Sequence, residues 1–332
     1  MQTPSPADDS SRTLRELVRS GRFPDALAVF RAREADGDPL RPDERLLAAT
    51  AAMRLGDVQI AEALSREALR GFRSRGDRDG RMRSLNLLGV IAFERGRLDE
   101  AEAAFGEALT LARQLADTQL AAHVSNNLGS LCHLRGQADQ ALGLYREALA
   151  SHSRLGDRRG AAESWHNLAL ALRQKGWWRE AEDAIAEAVR HAEVLGDPAL
   201  LALALTGRAE LQIDRGQFAL ADQALARADR LAAEARDAVG QGELRRIRAL
   251  GALRRGDLPL ALAEAEAAYA AGQAFDVALL RADAAAVLCL VLRRLGRVDE
   301  AEWRRREAVE RYLALGADGL SARLEREWSE ED

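Results

Sequence analysis

Apolar and small residues recur along this chain at the spacing of one face of an α-helix. In the segments 85–89, 125–129 and 165–169, a leucine and a small residue follow three and four positions after the first residue, so all three share a stripe. Leu320, Leu324 and Trp328 repeat the pattern at i, i+4 and i+8, which predicts a helix over 317–328. The chain is rich in Ala, Leu, Arg and Glu and has only 7 prolines, so we expect an all-α fold.

Two series of residues punctuate the helical pattern at a fixed interval of forty positions. The glycines are Gly56, Gly96, Gly136, Gly176, Gly216, Gly256 and Gly296, with Gly21 before them; the aspartates are Asp77, Asp117, Asp157, Asp197 and Asp237. Glycine is favoured just after a helix end and aspartate just before a helix start. Each unit is therefore predicted as helix, glycine turn, helix, and an aspartate-capped start of the next unit.

Alanines mark the predicted contact face between helices. One alanine follows each of the seven glycines from Gly56 to Gly296 by five positions, and a second follows seven residues later, as in Ala141 and Ala148 after Gly136. Small residues two turns apart allow close approach of a neighbouring helix. Phe105, Tyr145 and Ile185 recur four positions after the first alanine, and Trp178 is assigned to a core position.

These positions together resemble the tetratricopeptide repeat family, over about residues 12 to 316. The forty-residue unit is longer than the usual 34 and is similar to the repeats of kinesin light chains, Pins-type adaptors and bacterial regulators. The resemblance implies a right-handed helical solenoid of about eight hairpins with a C-terminal capping helix. The expected organisation is a disordered tail (1–10), the solenoid (11–316), the cap (317–328) and an acidic tail (329–332).

Charge and composition narrow the classes of function. The 332 residues are 47% hydrophobic and 30% charged, with a net charge of −5 spread along the chain, which disfavours nucleic acid as a partner. The longest apolar run, Ala284 to Leu292, is too short for a membrane helix, which needs about 20 residues. No secretory signal is seen, so we expect no membrane partner and a cytoplasmic location. Cys132 and Cys289 are interpreted as core thiols.

Signatures of catalysis or cofactor binding are not found in the sequence. The single lysine, Lys175, does not follow a glycine as a P-loop requires, and no zinc-protease or nucleophile-elbow motif occurs. A helical-repeat phosphatase or transferase would need a convergent acid/base constellation, which the sequence does not show. We predict a non-enzyme without cofactor or metal; a metal site at His123, His133 and His166 is disfavoured because none has an i, i+4 partner.

The asparagines are the most informative polar residues. The chain contains four, Asn86, Asn126, Asn127 and Asn167, all in the first helices of three consecutive repeats. Asparagine is a mediocre helix former, while its amide both donates and accepts hydrogen bonds. By resemblance, such asparagines hold the backbone of a peptide in the concave groove, a role assigned here to Asn127 and Asn167 and, as weaker matches, to Asn126 and Asn86. The alternative is that they bridge helices or face solvent.

Further polar residues on the same faces complete the predicted peptide-binding site. They are Arg83, His123, Ser130, His133, Glu163, His166, Arg173 and Gln174, together with Trp177, whose counterparts in other repeats are polar. Arginine is opposed by glutamate, so the sign of the ligand's charge stays open. Farther along, the groove positions become apolar (Ile247, Leu250, Leu253, Ala286, Val287 and Leu290), which fits either a partner helix or self-burial.

Two functions follow as hypotheses. The first is a scaffold or adaptor that binds a peptide or protein segment in the concave groove. The alternative is a peptide- or ligand-sensing regulatory subunit of a bacterial signalling system that acts through a separate effector protein. Self-association is left open in both.

Overall fold

The computed structural model describes residues 6–330, and side chains within 13–329. In this range the protein consists of seventeen α-helices without strands. The helices are α1 (Pro6–Arg19), α2 (Phe23–Ala35), α3 (Pro42–Arg54), α4 (Val58–Ser74), α5 (Arg78–Glu94), α6 (Leu98–Gln114), α7 (Thr118–Leu134), α8 (Ala138–Leu155), α9 (Arg158–Gln174), α10 (Trp178–Leu195), α11 (Pro198–Asp214), α12 (Phe218–Glu234), α13 (Ala238–Arg255), α14 (Leu258–Ala274), α15 (Ala278–Arg294), α16 (Val298–Ala314) and α17 (Asp318–Glu330).

The number and order of hairpins confirm the prediction made from the sequence. The helices α1 to α16 form eight hairpins, and α17 follows the last one. Helix α1 begins at Pro6, so residues 6–10 are helical where a disordered tail was expected, and residues 1–5 lie outside the described range. Helix α17 extends past the predicted cap to Glu330, and residues 331–332 of the expected acidic tail also lie outside it.

The turns form as the glycine and aspartate series predict. Each glycine of the forty-residue series has a positive φ, for example 76° at Gly136 and 73° at Gly176, a region that glycine enters without steric penalty. The aspartates cap the following helices. Asp157 Oδ1 accepts a hydrogen bond from the Gly160 amide at 3.0 Å, and Asp237 Oδ1 accepts one from the Gly240 amide at 2.8 Å.

The alanine series lies in the packed interior, also as predicted. Ala141, Ala148 and their counterparts in the other repeats are 0–1% exposed, and Phe105 and Tyr145 are each 1% exposed. The core assignment of Trp178 was wrong, because its side chain is 41% exposed. Trp178 is the first residue of α10 and therefore lies at the end of its hairpin, where fewer neighbours cover it.

The chain divides into two compact units. Unit 1 comprises the described residues through Phe93 together with Asp99–Val124, and unit 2 comprises Glu94–Leu98 and the residues from Ser125 onward. Among the buried residues of unit 1 are Leu14, Leu27 and Phe30 of the first hairpin, which pack with alanines of α3. In unit 2 a continuous core runs from Cys132 to Leu250.

Both cysteines are buried and neither forms a disulfide within the described residues, in agreement with their interpretation as core thiols. None of the described helices is both long enough and apolar enough to cross a bilayer.

Candidate functional site

Unit 2 contains a cavity of about 450 Å³, lined mainly by the first helix of each of its hairpins. Helices α7, α9, α11, α13 and α15 supply most of its wall, α16 adds Tyr312, and α17 adds four residues. The lining residues share registers within the repeats. His166, Thr206, Arg246 and Ala286 each stand ten positions before a turn glycine, so the repeat presents them to the same face.

A network of buried ion pairs crosses the cavity wall. Arg173 of α9 pairs with Glu210 at 3.1 Å and with Asp214 at 2.9 Å, both on α11. Arg246 of α13 pairs with Glu243 at 2.7 Å and with Glu210 at 3.6 Å. Burial would raise the pKa of Glu210, but the guanidinium groups of Arg173 and Arg246 lower it to about 2. Glu210 is therefore an anion held between two arginines.

Asp283 of α15 adds a further carboxyl group to the cavity wall. The Tyr312 hydroxyl donates a hydrogen bond to Asp283 Oδ1 at 2.6 Å. Burial raises the pKa of Asp283 to about 6, and the negative charges of Glu243 and Glu210 act in the same direction, while Arg246 opposes them. The carboxyl groups of Asp283, Glu243 and Glu210 therefore surround Arg246 at this part of the cavity.

Two histidines, His133 of α7 and His166 of α9, also line the cavity. The Nδ1 atoms of His133 and His166 are buried and have no hydrogen-bond partner, and the same is true of Arg173 Nε. Burial and the nearby charge of Arg173 lower the pKa of each histidine to about 4, so both rings are neutral at pH 7. The His166 ring packs closely on Gly207, where a Cβ atom would lie 2.7 Å from Cε1 and 2.9 Å from Nδ1 of the ring.

The asparagines of unit 2 lie on α7 and α9. Asn126 is 7% exposed, while Asn127 and Asn167 are half-buried. Asn167 Nδ2 donates to Asn126 Oδ1 at 3.3 Å and to Ser130 Oγ at 3.4 Å, and the Tyr145 hydroxyl donates to Ser130 Oγ at 3.3 Å. Asn167 therefore bridges two helices, through bonds at the long end of the normal range.

The remaining predicted site residues are distributed over other surfaces. Asn86 and Arg83 line a separate cavity of about 640 Å³ in unit 1, where Arg83 pairs with Asp79 at 2.9 Å and Asn86 Oδ1 has no partner. His123 lies on the part of α7 that belongs to unit 1, and Glu163 is half-buried on α9. Trp177 is 42% exposed in the turn before α10, with Lys175 Nζ 5.6 Å from its ring centroid, and does not line the unit 2 cavity.

The apolar groove positions favour self-burial over a partner helix. Ile247 is fully buried, and Leu250, Leu253, Val287 and Leu290 are 6–8% exposed. Leu250, Ala286, Val287 and Leu290 form apolar wall of the cavity.

Sequence reasoning missed Glu210, Arg246, Asp283, Tyr312 and Arg323. A signal for Arg246 was available, because Asn86, Asn126, His166, Thr206 and Arg246 all occupy the position ten residues before a turn glycine. A polar residue repeated at one register of a helical repeat indicates a shared face. The sequence contains no comparable signal for Tyr312 and Arg323, since they come from helices outside that register.

Family models described as tetratricopeptide repeat match residues 13–73, 44–114 and 119–193, which together cover more than half of the chain. A search of curated protein sequences found no significant match.

Several solved structures resemble this fold. A Rap protein complexed with competence and sporulation factor has a TM-score of 0.78 at 14% identity, covering 96% of this chain and 89% of that one. NprR in complex with its cognate peptide NprX has a TM-score of 0.69 at 12% identity, covering 99% of both chains. Aspartyl phosphate phosphatase F from Bacillus subtilis has a TM-score of 0.65 at 9% identity, covering 94% and 95%. At these identities the likeness is one of fold.

Proposed function

This chain belongs to the tetratricopeptide repeat family, and we propose that it is a regulator that binds a short linear peptide on the inner face of unit 2 and acts through a separate protein. The observation that carries the proposal is the cavity wall, where buried polar atoms of His133, His166 and Arg173 have no partner. A buried polar atom without a hydrogen bond costs about 1–3 kcal/mol, which a ligand that supplies the partner would recover.

A peptide suits this wall because its backbone alternates donors and acceptors. The neutral histidine rings present either a donor or an acceptor at Nδ1, and Arg173 Nε offers a donor. The leucines and valine of α13 and α15 supply apolar surface for a side chain. A site with a few oriented polar groups among apolar residues is the usual composition of a ligand pocket.

The asparagines extend the proposed site along α7 and α9. The amide of Asn167 is held by bonds of 3.3 and 3.4 Å, which a peptide group at a shorter distance would replace. Asn127 lies beside Asn126 on α7 and is half-buried. We assign to Asn127 and Asn167 the role of holding the peptide backbone, with Asn126 and Ser130 as the groups that position Asn167 before the ligand arrives.

The structural comparisons support a regulator over a passive adaptor. Two proteins similar to this chain in fold, a Rap protein and NprR, are described in complex with competence and sporulation factor and with the peptide NprX. Both matches extend over nearly all of this chain.

The binding partner is found by selection. The purified chain is incubated with a synthetic library of random hexapeptides, the complex is separated from free peptide by rapid size exclusion, and retained peptides are identified by mass spectrometry. We expect retained peptides to share a sequence pattern and to bind with a single affinity after resynthesis. Retention of no peptide above a control loaded with heat-denatured protein would contradict the proposal.

The selected peptide then tests the asparagines. In Asn127→Ala/Asn167→Ala, each lost amide leaves a peptide group unpaired at about 1–3 kcal/mol, so the dissociation constant measured by fluorescence anisotropy should rise roughly tenfold or more per residue. Gln223→Ala, which removes an exposed amide from α12, is the matched control and should bind as the unmodified chain does. Unchanged affinity in the double variant would exclude the clamp, and a large fall in melting temperature would identify Asn167 as mainly a structural bridge.

A further inference from the structure

The C-terminal helix α17 covers the cavity that the proposed function assigns to the ligand. Leu320, Arg323, Leu324 and Glu327, four residues of one helix face, are part of the cavity wall. Arg323 faces the acidic network, since its positive charge contributes to lowering the pKa of Glu210. Its ion pair with Glu327 at 2.8 Å is internal to α17, so no salt bridge from Arg323 fixes the helix to the wall.

The start of α17 rests on a turn far away in sequence. A Cβ atom at Gly319 would lie 2.5 Å from the Cα atom of Gly136 and 2.9 Å from the carbonyl carbon of Arg135. Both are backbone atoms of the turn between α7 and α8, so they cannot move aside as a flexible side chain would. Helix α17 can therefore pack against the turn between α7 and α8 only because residue 319 has no side chain.

Helix α17 is held by few buried side chains. Ser321 and Leu324 are its buried residues within 318–329, whereas α15 buries ten. Further contacts lie near the surface. Arg305 pairs with Glu325 at 2.6 Å, and Arg293 donates to the Trp328 carbonyl oxygen and stacks on its ring at 4.3 Å. A short helix with one buried leucine opens at lower free energy than the helices beneath it.

The volume beneath α17 sets a limit on what the closed form admits. A cavity of about 450 Å³ lies in the lower part of the roughly 300–1,000 Å³ that encloses a drug-sized molecule. A volume of this size holds a few residues of a peptide, and Leu320, Leu324 and Arg323 of α17 occupy one side of it.

We propose that α17 is a strap that closes the ligand face of unit 2 and leaves it when the ligand binds. In the closed form Leu324 fills apolar space, and Arg323 supplies positive charge beside Glu210. Undocking uncovers the inner surfaces of α13 and α15, and ligand binding opposes redocking. Because only the open fraction of the protein binds ligand, the strap lowers the apparent affinity in proportion to that open fraction. The identity of the ligand as a peptide rests on the proposed function, whereas the undocking of α17 does not.

The variant Gly319→Val tests the strap, because the added side chain cannot fit against the Gly136 backbone. Ala322→Val, at an exposed position of the same helix, is the matched control. Hydrogen exchange followed by mass spectrometry should show the amides of 318–330 exchanging roughly tenfold faster or more in Gly319→Val, with α15 unchanged. Nile red, an uncharged dye, should bind Gly319→Val several-fold more tightly than the control.

The outcomes separate the strap from the proposed function. Equal exchange of α17 and equal Nile red binding in both variants would overturn the strap, as would a selected hexapeptide that binds Gly319→Val no more tightly than the unmodified chain. Failure to select any peptide, together with the exchange and dye responses, would refute the proposed function and support the strap. If Gly319→Val loses its helical circular dichroism, Leu324→Ala is used in its place. We expect it to raise the exchange rate of the α17 amides and the affinity for Nile red, each by a smaller factor than Gly319→Val.

Discussion

At the scale of single residues, the burial of His166 makes the stability of the protein depend on pH. The ring is 7% exposed and lies near Arg173, and both features lower its pKa to about 4. In the unfolded chain a histidine has a pKa of about 6.5. The unfolded state therefore takes up the proton first as the pH falls, so the stability that depends on neutral His166 is present above about pH 6.5 and is lost between about pH 6.5 and 4.

In the variant His166→Gln, the free energy of unfolding should fall less as the pH is lowered. The difference between the two pKa values corresponds to about 2 kcal/mol of stability lost at pH 5 relative to pH 7.5. Urea unfolding at both pH values gives the free energy of unfolding of each protein, and the change between the two pH values is compared between the variant and the unmodified chain. Asp283, with its pKa raised to about 6, acts in the opposite direction in both proteins and cancels in the comparison. His191→Gln, at a less buried position, is the control, and parallel pH profiles for His166→Gln would show that the ring is not neutral by burial.

At the scale of helices, packing is set by the small residues that the repeat places between neighbours. Ala148 of α8 is fully buried, and its counterparts after the other turn glycines are equally inaccessible. The sequence predicted this contact because the same spacing recurs in seven units. It did not predict the exposure of Trp178, because the register of a residue does not show whether the end of its hairpin is covered.

The alanine contact predicts opposite results for two substitutions in one helix. Ala148→Leu adds three heavy atoms between close helices, and overpacking of this kind costs typically about 1–3 kcal/mol. Ala150→Leu adds the same atoms at an exposed position of α8 and should leave stability nearly unchanged. Thermal unfolding followed by circular dichroism distinguishes them, and equal melting temperatures would contradict the packing assigned to the repeat.

At the scale of the molecule, the sequence could predict whatever every repeat shares. Gly176 and Asp157 each belong to a series with one local role, so their turn and cap followed from spacing alone. The pairing of Arg173 with Glu210 depends on which neighbours face each other, and this differs from repeat to repeat. The contact of Gly319 with Gly136 joins positions far apart in sequence and occurs at one place in the described chain. It therefore belongs to no repeating pattern from which it could be predicted.

Terminal deletions test how far stability is local. Each repeat of a solenoid contacts mainly its neighbours, so its stability is close to a sum of local contributions. Deleting residues 1–37 removes α1 and α2 and exposes one face of α3, and we expect the remaining chain to keep its helical circular dichroism in proportion to its length. Deleting 317–332 instead leaves the leucines beneath α17 permanently exposed. Size exclusion with light scattering should then show aggregation. Loss of all helical signal in the first deletion would mean that folding depends on contacts beyond nearest neighbours. If the second deletion variant stays monomeric, α17 does not cover an aggregation-prone apolar surface.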